Sequence, residues 1–237
     1  MILARWEGED GLAFFGAIVA GQSHEVINVL NIINELTGLQ KDILQTAASG
    51  MVDVARLAGI ADKIEGQVIR GVKIVSEVNR FAHSIDVPVA VFDLRELLDR
   101  VVFLAERSAR MRRTRLASST QGTPVMMEGN PFLLQQIVFC CVDMAAASAS
   151  DEETVSVRCR AESNTAEVTI TFGDANSDVG EYSTRVARIE ALLHGIGGEF
   201  VVIPEAGGRT NIVLRVPLRG DAQSAVDGDR REGVDAS

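Results

Sequence analysis

Several functional classes are excluded by what this sequence does not contain. There are three cysteines in 237 residues: Cys140, Cys141 and Cys159. The count is odd, two are adjacent, and none forms a C-x-x-C pair. Neither a disulfide framework nor a zinc site is indicated, and reduced, buried thiols are expected. No run is rich in lysine or arginine, and the formal net charge is -10. Nucleic acid and an anionic membrane are therefore not the expected partners. A long apolar run is also missing. Gly11 to Ala20 is too short to span a bilayer, and the residues before it (Glu7, Glu9, Asp10) have the wrong sign for a signal peptide. That stretch reads as the start of a buried helix in a cytoplasmic protein. With no sensor segment in view, the signal is expected to arrive from another protein.

Hydrophobic residues make up 46% of the chain and charged residues 24%, a globular composition. The length suits one large domain or two small ones. Apolar residues recur three and four apart from Val54 through Leu57, Ala61, Ile64, Val68, Gly71 and Val75 to Ile85. An earlier seam runs through Phe15, Val19, Gln22, Val26, Val29 and Ile33 to Ile43. Both spacings predict long helices in coiled-coil-like packing. Ala47-Ala48-Ser49-Gly50 is a turn between them, giving an antiparallel hairpin over roughly 15–48 and 51–85. Two helices cannot bury both seams, so a homodimeric four-helix bundle is expected. Pro88 closes the second helix.

After that the pattern alternates. A helix is predicted over 93–111 with Asp93 as its cap, then strands at 115–119 and 124–128, and an apolar helix over 131–149. Alternating segments 154–161 and 166–172 form a hairpin across Asn164-Thr165. A helix over 182–194 ends at Gly195, and strands follow at 199–204 and 210–217. The order describes an α/β sandwich. The small polar residues from Arg219 onward read as a disordered tail.

In the first helix the chain reads Ser23-His24-Glu25-Val26-Ile27-Asn28-Val29-Leu30. With Val26 and Val29 on the seam, His24 points outward. Asn28 lies on the same face one turn later, and Glu25 adjoins them. Imidazole is a nucleophile near neutral pH. A carboxylate can orient it or take its proton, and an amide can position a water. Residue types alone leave two readings: a phosphoryl-transfer site, or an exposed histidine with an ordinary acidic neighbour. His83 and His194 have no such surroundings.

Ser23 to Leu30 resembles the H-box of sensor histidine kinases, in which a His-Glu-x-x-Asn/Thr run surrounds the phosphorylated histidine. His24, Glu25 and Asn28 match, whereas Val29 replaces the proline that usually bends the helix. The likeness covers about residues 15–218. Val91 to Leu98 resembles the linker and first catalytic-domain helix. Gly129 to Ile137 resembles the approach to the N-box. Gly197-Gly198-Glu199-Phe200 and Gly207-Gly208-Arg209-Thr210 resemble the closing hairpin. It implies an α+β fold: a dimerisation and phosphotransfer hairpin over 1–89, an ATPase-like α/β sandwich over 90–218, and a tail over 219–237.

The same register implies that the nucleotide chemistry is lost. The N-box asparagine positions hold Cys140 and Met144, and the basic residue beyond them is Ala147. A thioether is a poor ligand for magnesium, which wants oxygen. The Asp-x-Gly-x-Gly box reads Asp174-Ala175-Asn176-Ser177-Asp178: the aspartate survives, both glycines are replaced, and Asp178 adds negative charge. Ser183-Thr184-Arg185 stands where a Gly-x-Gly should cradle phosphate, and about eight residues leave no room for a lid. The expectation is therefore a histidine phosphotransfer protein with no tightly bound cofactor. His24 exchanges phosphate with response-regulator receiver domains, which bring the magnesium. The alternatives are a response-regulator phosphatase or pseudokinase, an atypical ATP-dependent kinase, and a non-catalytic dimeric adaptor.

Overall fold

The computed structural model describes residues 11–46, 53–119, 122–173, 179–205 and 207–218. The chain divides into two compact units, Met1–Asp86 and Val87–Ser237.

The first unit is a hairpin of α1 (Gly11–Thr46) and α2 (Val54–His83). The Asp53 side chain caps α2, accepting from the Arg56 amide at 3.0 Å, which satisfies one orphan donor of the first turn. The expected turn at Ala47–Gly50 lies outside the described residues. The buried seam of α1 is Phe14, Ile18, Gln22, Glu25 and Val29. In α2 it runs through Ile60, Ile74 and Phe81, with Leu57, Ile64, Gly71 and Val78 half-buried along the same face. This corrects the expected register. Phe15, Val19 and Val26 are only half-buried, and Val68 and Val75 are exposed. Phe14 meets Phe81 edge-on at 5.3 Å, and Phe15 stacks on it at 5.6 Å. A Cβ at Gly71 would stand 3.3 Å from Val29 Cγ1, so the helices pack tightly at this glycine.

A second apolar stripe faces away from the partner helix. Leu12 and Leu30 on α1, and Val54, Val68, Val72 and Val75 on α2, are all about half exposed or more. At about 100° per residue, both stripes fall on one flank of the hairpin, opposite the flank that carries His24 and Arg70.

The second unit runs β1 (Ala90–Asp93), α3 (Leu94–Met111), β2 (Arg115–Ser119), β3 (Met126–Gly129), α4 (Pro131–Ser148), β4 (Thr154–Glu162), β5 (Thr165–Gly173), α5 (Val179–His194), β6 (Glu199–Glu205) and β7 (Arg209–Pro217). The main sheet has the order β2-β4-β5-β7-β6, and β1 pairs with β3 in a small antiparallel ribbon. Among the described strands, only β2 and β4 pair in parallel. Strand β1 is not foreseen from the sequence. The β4–β5 turn is Ser163-Asn164, one residue earlier than expected, with Ser163 at φ 54°.

Caps again explain the helix starts. Asp93 accepts from the Arg95 and Val125 amides, so one side chain starts α3 and anchors the approach to β3. Asn130 caps α4 ahead of Pro131, where a missing N–H costs nothing. Alternate residues of β4, β5 and β7, among them Val157, Ile170 and Leu214, are fully buried and face the helices. On the open face, Arg160, Glu167, Arg215 and Glu199 form one cross-strand row of alternating charge. Helix α4 alone among the described helices has the length and apolarity to cross a bilayer, but 72% of it is buried within the protein. It is a core helix.

Candidate functional site

Helix α1 places His24 and Asn28 as the sequence predicts, both exposed and one turn apart. Neither side chain makes a hydrogen bond or ion pair among the described residues. Both side chains are open to an approaching partner.

Glu25 is placed differently. Successive helical residues diverge by about 100°, and Glu25 falls on the inner seam rather than beside His24. It is 7% exposed, and its Oε2 accepts from Arg70 Nη2 of α2 at 2.6 Å. A carboxylate removed from water needs such a partner. The expected trio is thus an exposed pair, His24 and Asn28, flanked by a buried acid bound across the hairpin. Arg70 is missing from the sequence reading. The available signal is that an acid on a buried seam requires a cation on the facing helix. His83, which lacks the surroundings of His24 in sequence, contacts Asp86 at 2.7 Å on the surface.

The implied nucleotide positions are partly described. Met144 is buried, and Cys140 is half-buried. The side chain of Ser183, and all of Asp174, Asn176 and Asp178, lie outside the described residues. The Cys140 thiol is pushed up to about 12, first by burial and then by the Asp143 charge, against the opposing pull of Arg188 and Arg185. A protonated thiol and a buried thioether do not fit magnesium, which takes charged or carbonyl oxygen. The oxygen ligand nearby, Asp143, is already committed. Its Oδ1 accepts from Ser108 Oγ at 2.8 Å, its Oδ2 from Arg112 Nη2 at 3.2 Å, and Arg185 Nη1 of α5 lies 3.5 Å from Oδ2. No group of three or more His, Cys, Asp or Glu suited to a metal occurs among the described residues. Among the described residues, Cys140 and Met144 do not supply the oxygen ligands that ATP-bound magnesium takes.

No family model matches the sequence, and no curated protein matches it either. Solved structures match the fold. A nucleotide-free form of the catalytic domain of the histidine kinase ThkA aligns with a TM-score of 0.50 at 11% identity, over 56% of this chain and 97% of that one. A histidine kinase from Burkholderia phymatum aligns at 0.49 and 19% identity, over 81% of this chain and 99% of its own. The Acinetobacter baumannii histidine kinase AdeS aligns at 0.45 and 12%, over 82% and 98%. The match to the ThkA domain shows that this chain contains the fold of a histidine kinase catalytic domain. At such identities the likeness concerns the fold alone.

Proposed function

We propose that this protein is a cytoplasmic two-component phosphotransfer protein in which His24 carries the phosphoryl group. The observation that carries the reading is the exposed, unpartnered His24 with Asn28 one turn along α1. In the forward step an imidazole nitrogen attacks the phosphorus of an aspartyl phosphate on a receiver domain. The P–O bond to the carboxyl group breaks, and the carboxylate leaves with the electron pair. The other ring nitrogen keeps its hydrogen, so no proton has to depart. The reverse step loads a second receiver. Magnesium belongs to the receiver, as the phosphoryl oxygens need it there.

The open apolar flank of the hairpin supports a homodimer. Val54, Val68, Val72 and Val75 are exposed in one chain, and a second copy of the hairpin would cover them in a four-helix bundle. Loss of nucleotide chemistry around Cys140 and Met144 supports a protein phosphate source rather than ATP. The test is incubation with a phosphorylated receiver. Acid-labile phosphate on His24, absent in His24→Ala, is the expected result; no such phosphate on the wild type overturns the reading. The free amide of Asn28 favours a second reading, a receiver phosphatase. It predicts that Asn28→Ala abolishes dephosphorylation of the receiver while His24→Ala does not.

A further inference from the structure

A second polar cluster lies in the other unit, among α3, α4 and α5. Asp143 is 6% exposed and receives two guanidinium groups on one oxygen: Arg112 at 3.2 Å and Arg185 at 3.5 Å. Ser108 fixes the other oxygen. Arg188 follows Arg185 by one turn of α5, so it lies on the same face. It is half-buried, lies within electrostatic reach of Cys140, and makes no ion pair among the described residues. Arg112 Nε is buried with no acceptor. Two guanidinium groups thus share one carboxylate in a partly desolvated wedge, a third lies beside them on α5, and one donor is left unused among the described residues.

Guanidinium forks recognise carboxylate and phosphate by the same paired N–H···O geometry. A carboxylate held by two guanidiniums and a hydroxyl occupies the place an anionic ligand would take. We propose that Arg112, Arg185 and Arg188 form a cradle for a phosphate-class anion, and that the chain's own Asp143 keeps it shut. The inference does not depend on the role of His24. It also gives the second unit a reason to hold together without nucleotide, because Asp143 ties all three helices.

The proposal predicts a gain of binding. Pyrophosphate is titrated into the full chain at constant ionic strength set with sodium chloride, with thermal unfolding and calorimetry as readouts. Wild type shows no shift. Asp143→Asn, which removes the charge and keeps the shape, shows a saturable rise in Tm of about 4 °C at ten times its Kd. Adding Arg188→Gln to that variant weakens the affinity by about tenfold. ADP binds no tighter than pyrophosphate, since the arginines read phosphoryl oxygens alone. A folded Asp143→Asn that ignores pyrophosphate overturns the proposal, as does a wild type that responds equally or a clear preference for ADP. If Asp143→Asn is unfolded in chloride, pyrophosphate is expected to restore its far-UV circular dichroism; failure to do so also overturns it.

Discussion

At the scale of single residues, burial decides what the side chains can do. Desolvation raises the Cys140 thiol to about 12, and it moves Cys141 and the half-buried Cys159 in the same direction. Alkylation requires the thiolate. Below the raised value the thiol stays protonated, so native Cys140 and Cys141 should react with iodoacetamide at about pH 8 at least about tenfold more slowly than in urea. Peptide mass spectrometry reads this directly. Glu25 follows the same logic. Arg70→Ala strands a buried carboxylate, and because Arg70 is 42% exposed the loss should be about 1–2 kcal/mol rather than the larger cost of a fully buried pair. Urea denaturation checks the value, and adding Glu25→Gln should recover part of it.

Secondary-structure elements meet at a few close approaches that tolerate no side chain. A Cβ on Gly198 would lie 2.8 Å from the Arg215 carbonyl oxygen and 3.0 Å from Leu193 Cδ2. The oxygen belongs to backbone of β7 and cannot swing aside. Gly198→Ala should therefore cost about 1–3 kcal/mol, seen as a lower Tm with an unchanged fold by circular dichroism. The start of α3 is legible from sequence because Asp93 announces it by local chemistry. Strand β1 is not, because four residues beside Pro88 carry no periodicity. The hairpin seam is displaced for a definite reason. Phe14-Phe15 and Ile18-Val19 place apolar residues side by side, so two stripes about 100° apart both satisfy the heptad pattern. Periodicity alone does not say which stripe meets the partner helix of the same chain. His24 and Asn28 are readable because helical spacing fixes their common face. Arg70 and the Asp143 cluster are not, because contacts 45 residues apart or shared among three helices leave no local trace.

For the whole molecule, the two flanks of the hairpin differ. One flank is apolar and open, through Val54, Val68, Val72 and Val75; the other carries Arg70, which reaches in to the buried Glu25. Charging the apolar flank with Val68→Glu and Val72→Glu should convert a dimer to a monomer, read by sedimentation equilibrium, while leaving the helicity in place. Because the copies would meet through the apolar flanks, their two histidines point in opposite directions, away from the shared axis. On the proposed phosphotransfer reading, such a dimer would be a two-port device, each port served by its own receiver, with occupancy of one leaving the other sterically clear. Phosphate incorporation should saturate at about two equivalents per dimer, and a hybrid of wild type with His24→Ala should load about one, at an unaltered rate per remaining histidine.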